Sequence, residues 1–118
     1  MNINKFPKKS IYPGAYSGHD WQSVINKACT LISYNPSTEL AIAKVSGASA
    51  KDYEMIITRA QAAFKTWRNM PAPKRGEIIR QIGQKLRENK AALARLITLE
   101  VGKSAEEALG EVQEMIDM

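Results

Sequence analysis

The sequence predicts a mainly α-helical chain with an N-terminal β-hairpin, on three observations. From Ser49 onward, apolar residues recur at helical spacing in segments punctuated by Pro71, Pro73 and Gly102. Ahead of them, Ala28–Tyr34 and Leu40–Val45 are short runs rich in strand-forming residues on either side of Asn35-Pro36. The last apolar stripe, Ala105, Ala108, Leu109, Val112 and Ile116, runs out with neither a C-cap nor a turn. It reads as part of an unfinished domain.

Residues 1–26 carry Pro7, Pro13, Gly14 and Gly18 without a sustained period, so an irregular arm is expected there, one that must lie on something to be ordered. Its His19 is the single histidine of the chain and has no cysteine or second histidine near it in sequence, which leaves it without the partners of a metal site. Residues 27–118 are expected to form a hairpin plus four helices. Asn35 and Pro36 favour turn initiation between the two strand runs. Cys29, at the start of the first run, has no neighbouring histidine to activate it and is expected to be a small buried hydrophobe. A lone hairpin is marginal in water and needs a surface to cover.

Ser49-Ala-Lys-Asp52 reads as a capping box for a first helix ending near Arg68. Its stripe of Ile56, Ile57, Ala60, Ala63, Phe64 and Trp67 is expected to be core. A second helix is expected from Pro73 to Arg87, with Ile78, Ile79, Ile82 and Leu86 on one face, because proline suits a first helical turn. Gly83 lies in its interior. Either it is tolerated there, or another backbone approaches closely. Asn89 is expected to cap a third helix bearing Leu93, Leu96, Ile97 and Val101, closed by Gly102 in a left-handed conformation. Ser104-Ala-Glu-Glu107 opens the fourth in the same way as the first.

Forty-four per cent hydrophobic residues in 118, with a mean hydropathy of −0.33, is a globular composition that allows one modest core. No apolar run approaches a membrane span, and Lys5, Lys8 and Lys9 are not followed by the apolar block of a secretory signal, so the expectation is a cytoplasmic protein with no membrane partner. The formal charge of +5 is unevenly spread. Nine basic residues between Lys65 and Arg95 face only Glu77 and Glu88, whereas six acids between Glu100 and Asp117 face only Lys103. No aromatic residues interleave with the basic stripe for base stacking, and it is expected to be a solvated helix face rather than a nucleic-acid surface.

Gly102-Lys103-Ser104 imitates the end of a phosphate-binding loop, but Ile97 stands where its first glycine is required. No glycine-rich dinucleotide fingerprint follows a strand. Glu107, Glu111 and Glu114 recur along one helix face at a spacing able to hold a cation. A solvated acidic face, or one paired with basic helices, is the simpler expectation.

From Asn-Pro-Ser-Thr-Glu-Leu-Ala-Ile-Ala-Lys-Val at Asn35 to Val45 through to Met118, the chain resembles the N-terminal part of an aldehyde dehydrogenase. Ala-Phe-x-x-Trp at Ala63 to Trp67 and Glu-x-Gly-Lys at Glu100 to Lys103 resemble the superfamily at large. Pro-Ala-Pro-Lys-Arg-Gly-Glu-Ile at Pro71 to Ile78 and Gly-Glu-Val-Gln-Glu at Gly110 to Glu114 resemble the antiquitin-like family 7, which oxidises aminoadipate semialdehyde with NAD. The resemblance implies an incomplete N-terminal part of the α/β aldehyde dehydrogenase fold, lying ahead of the sheet that grips NAD. It implies NAD as cofactor of the full-length family and none for this chain alone. The oxyanion asparagine, general-base glutamate and nucleophilic cysteine would fall beyond Met118, and Cys29 does not align with that nucleophile. The partner it implies is the remainder of the dehydrogenase or a like subunit. One site residue is implied within the chain: Glu114 matches the carboxylate that meets the substrate's α-amino group. With no such partner, the alternative is a non-enzymatic helical interaction module.

Overall fold

Two segments of extended chain meet at the Asn35-Pro36 turn, as the composition of their flanks demands. The computed structural model describes residues 11–16, 18 and 29–118, so the expectations for His19 and Ala28 lie outside the described residues. Strand β1 is Tyr12–Pro13, β2 Thr30–Tyr34 and β3 Ala41–Ser46, in a sheet of order β1-β3-β2. The hairpin expected from the sequence is β2 and β3. Asn35 N–H donates to the Leu40 carbonyl at 2.9 Å, Glu39 N–H to the Asn35 carbonyl at 2.8 Å, and Ser37 N–H to Asn35 Oδ1 at 2.9 Å. Glu39 takes a positive φ of 59° to complete the turn.

β1 has no counterpart in the sequence reading. Two residues carry no periodicity, and their strand character comes from pairing: Tyr12 is opposite Val45 and Pro13 opposite Ser46 in a parallel register. The approach is close enough that a Cβ on Gly14 would collide with the Ser46 carbonyl, and Ser46 is fully buried. Cys29 corrects an expectation, for its side chain is exposed rather than buried. It stands where Gly47 N–H donates to its carbonyl at 2.5 Å, on the sheet's margin.

Helix α1, Ala50–Trp67, starts as the capping box requires, with Asp52 N–H donating to Ser49 Oγ at 3.2 Å and Ser49 N–H to Asp52 Oδ2 at 2.8 Å. Its apolar stripe is not core. No residue of α1 is buried; Phe64 is 57% exposed and Ile57 and Trp67 37% each. Helical periodicity identifies a face that seeks a partner without supplying one.

Helix α2 runs unbroken from Ala72 to Val101, about 45 Å at the usual rise per residue. It merges the two helices expected over Pro73–Arg87 and from Asn89 to Gly102. Asn89 does not cap; its Nδ2 donates to the Lys85 carbonyl at 2.8 Å, one turn back, and neither Gly nor Pro lies near it to break the ladder. Among the described residues there are thus three helices where four were expected. Gly83 proves a tolerated glycine, with only the Arg87 guanidinium, at 3.9 Å, near where its Cβ would be. Gly102 ends α2 as expected, at φ 80° and ψ 12°, its N–H bonded to the Thr98 carbonyl at 3.0 Å. Helix α3, Ala105–Asp117, repeats the capping box with Ser104 and Glu107.

The described chain divides into two compact units. One holds the strands and α1, up to Met70. The other holds the turn Tyr34–Leu40 with α2 and α3, and it contains a small core of Ala94, Ala108 and Val112, flanked by Leu93, Ile97, Leu109 and Ile116. This core uses only the C-terminal half of α2. Ile79 and Ile82, in the other half, are 56% and 53% exposed.

Candidate functional site

The acids of α3 are placed by two caps. Gly102 turns the chain through a conformation open to residues without a Cβ, and Ser104 then fixes the start of α3, its Oγ accepting from Glu107 N–H at 3.3 Å. Packing of Ala108 and Val112 on α2 sets the rotation of α3, which leaves Glu107, Glu111 and Glu114 on its outer side. Lys103, between the two caps, reaches back along α3 to form an ion pair with Glu111. A cation does sit among these carboxylates, and it is this ammonium. Among the described residues no group of three metal-ligating side chains is gathered anywhere.

The electrostatics follow from that geometry. Hydrogen bonding to Glu111 raises the Lys103 pKa above its ordinary value, with the charges of Glu111, Glu107 and Glu114 adding to the effect. Glu107 is held below the usual carboxylate range by its hydrogen bonds with the Ser104 side chain and backbone, and then by Lys103. Across the helix pair, Lys90 Nζ donates to Gln113 Oε1 at 2.7 Å, and Gln113 Nε2 donates to Asp117 Oδ1 at 2.8 Å. Gln113, the residue before Glu114, is thereby tied to α2.

Glu114 itself is exposed, on an open cleft of about 430 Å³ lined by Glu111, Met115, Asp117 and Met118. Three carboxylates, of which Glu111 is already paired with Lys103, and a pair of methionines suit an ammonium on a short aliphatic stem. Lys103 was missed as part of this group. Sequence alone places it one residue past a helix-ending glycine, and only the angle between α2 and α3 decides which acid it meets.

The basic stripe carries its own counter-charges. Arg80 grips Glu77 through Nε at 2.7 Å and Nη2 at 2.8 Å, and with Gln81 at 3.1 Å this lowers the Glu77 pKa to about 2. Lys85 pairs with Glu88 at 2.7 Å. No helix among the described residues is long and apolar enough to cross a membrane.

Comparison with known proteins gives this arrangement a context. A sequence model described as "Aldehyde dehydrogenase family" matches residues 24–118. Aldehyde dehydrogenase family 7 member A1 of Pisum sativum is 48% identical over 105 residues, covering 89% of this chain and 20% of that protein. The alpha-aminoadipic semialdehyde dehydrogenase of Rattus norvegicus is 49% identical over 88 residues, 75% of this chain and 16% of that one. Among solved structures, a 3,6-anhydro-L-galactose dehydrogenase superposes with a TM-score of 0.78 at 35% identity, over 86% of this chain and 21% of that one. A betaine aldehyde dehydrogenase from Staphylococcus aureus in complex with NAD+ gives 0.75 at 31%, over 94% and 21%. The chain spans about a fifth of the length of these relatives.

Proposed function

This chain belongs to the aldehyde dehydrogenase family, and we propose that it serves as the N-terminal portion of an NAD-dependent enzyme that oxidises aminoadipate semialdehyde. The observation that carries the reading is the near-50% identity to a family 7 member over 105 residues and to an alpha-aminoadipic semialdehyde dehydrogenase over 88. In this role Glu114 holds the α-ammonium of the substrate, on the cleft where Lys103 already neutralises Glu111. The nucleophile, the general base and the NAD site are contributed by the remainder of the dehydrogenase, so the chain alone is inactive. The exposed stripe of Ile78, Ile79 and Ile82 on α2 supports docking of that remainder.

The test is a chimera in which this chain replaces the corresponding N-terminal part of the pea relative. The chimera is expected to oxidise aminoadipate semialdehyde with NAD, and the chain alone to show no turnover. In the chimera, Glu114→Gln is expected to cost about 1.5–3 kcal/mol of charge-assisted binding, a roughly 10- to 150-fold rise in KM for the amino-bearing aldehyde. Aldehydes without the amine should be nearly unaffected. Equal losses for both substrate types would make Glu114 a structural residue, and a folded but inactive chimera would defeat the proposal.

A second reading, a non-enzymatic interaction module, draws on α1, an apolar-striped helix with no buried residue.

A further inference from the structure

The connection between α2 and α3 is Gly102, Lys103 and Ser104, and both neighbours of Lys103 are fixed. Gly102 holds the left-handed conformation that ends α2, and Ser104 is the cap of α3. The Lys103 side chain therefore leaves from a set point and directs its charge at Glu111, two turns along α3. The pairs Arg80–Glu77 and Lys85–Glu88 join residues three apart on one helix and lie largely in solvent. The Lys103–Glu111 pair spans eight positions, with side chains 38% and 41% exposed.

This pair sets the charge of the cleft that carries Glu114. Glu111 is matched by Lys103, and Asp117 accepts from Gln113, whose own amide oxygen is held by Lys90 of α2. Among the described residues the Glu114 carboxylate accepts no hydrogen bond, and the Lys103 ammonium acts on it through space. Every residue of the arrangement belongs to the α2–α3 unit.

On the reading that Glu114 meets the substrate's ammonium, we propose that Lys103 fits this cleft to a zwitterionic α-amino acid head group rather than to a bare amine. An α-amino acid carries its carboxylate on the carbon that bears the ammonium, so whatever holds the one draws in the other. Beside Glu114 that carboxylate meets Glu111, a neighbour one helical turn away, and like charges at such range repel. The Lys103 ammonium offsets Glu111 and removes the repulsion. A bare amine brings no carboxylate and gains from every negative charge near it, so for that substrate an uncompensated Glu111 is an advantage. Lys103 acts through Glu111, as a positioning residue.

The experiment uses the chimera with the pea relative and three aldehydes: aminoadipate semialdehyde, the aminopentanal that lacks its carboxylate, and pentanal, which lacks both charged groups. Lys103→Met is expected to raise KM for the first roughly three- to fivefold, the effect of one partly exposed charge. It should leave unchanged or lower KM for the aminopentanal and should not move pentanal. Glu111→Gln, which leaves the ammonium uncompensated, should shift the ratio of the two amino-bearing substrates the other way. The double variant K103M/E111Q restores the net charge of the cleft and should return that ratio to within about twofold of the parent. Lys103→Arg keeps the charge and should do the same. In the chain itself, the Lys103 ammonium followed by NMR should titrate above its ordinary value and fall back in Glu111→Gln. Equal losses for all three aldehydes, a double variant without rescue, or an ammonium indifferent to Glu111→Gln would overturn the proposal. Glu114→Gln in the same chimera separates the two levels of the argument. If it spares both amino-bearing substrates, the reading of Glu114 falls and this proposal with it; if it weakens them while Lys103→Met keeps the parental ratio, this proposal alone is defeated.

Discussion

Replacing glycine by alanine is expected to have opposite effects at two positions of the α2–α3 unit. Gly102 sits at φ 80°, where an L side chain costs roughly 1–2 kcal/mol. Its Cβ would also lie 3.0 Å from Pro36 Cγ, closer than ordinary van der Waals contact, so the turn at Pro36 has to yield. Against this, alanine restricts the unfolded chain and returns about 0.4–1 kcal/mol. Gly102→Ala should therefore destabilise by about 1 kcal/mol or somewhat more. Gly110 lies inside α3 with nothing within 4 Å of where its Cβ would be. Gly110→Ala should stabilise by about 0.5–1 kcal/mol, the usual penalty of glycine in a helix. Urea unfolding followed by the helical circular dichroism signal separates the two, read from the midpoint at constant slope. A Gly102→Ala chain as stable as the parent, or a less stable Gly110→Ala chain, would refute the account of this turn.

Val112→Ala, which empties part of the core between α2 and α3, should cost about 1.5–3 kcal/mol in the same assay. Ser104→Ala removes the cap of α3 and should cost about 1 kcal/mol, while the Glu107 carboxyl, titrated by NMR, moves back up toward its ordinary range. Glu77 has a folded-state pKa lowered from 4.5 to about 2, so its contribution is complete above 4.5 and fades as the pH falls toward 2; Glu77→Gln should flatten the acid unfolding profile in that window. Lys103 has the opposite sign. Its pKa is raised above 10.5, so its contribution holds below that value and is lost as the pH climbs through the raised one, and Lys103→Met should remove that alkaline step.

The parts of the fold legible in the sequence are those decided by a few neighbouring residues. Both capping boxes, the left-handed Gly102 and the Asn35-Pro36 turn stand where the residue types put them. The failures came where distant chain decides. Asn89 has the composition of a cap, yet it lies within a continuous helix, because capping needs a break in the backbone ladder that nothing there provides. β1 exists through pairing with Val45 and Ser46, which no local pattern announces. The stripe of α1 was legible as apolar but not as unburied, since burial depends on a partner surface. At the candidate site the spacing of Glu107, Glu111 and Glu114 was legible and the arrival of Lys103 among them was not, for it depends on the angle between two helices.

The uneven anchoring of α2 bears on how the chain comes to its fold. Residues from Leu93 to Ile97 meet α3 across a connection of a few residues, so little loop entropy is spent in closing that contact, and it should form early. The parallel pairing of Tyr12 with Val45 joins residues far apart in sequence and should form late. Once folded, α2 should show a gradient of amide protection along its length. Hydrogen exchange slows toward the turn around Ala94 and quickens around Ile79 and Ile82, where only the helix's own ladder guards the backbone. The docking of a larger partner on that exposed half would be visible as a levelling of the gradient, with no change in the secondary structure itself.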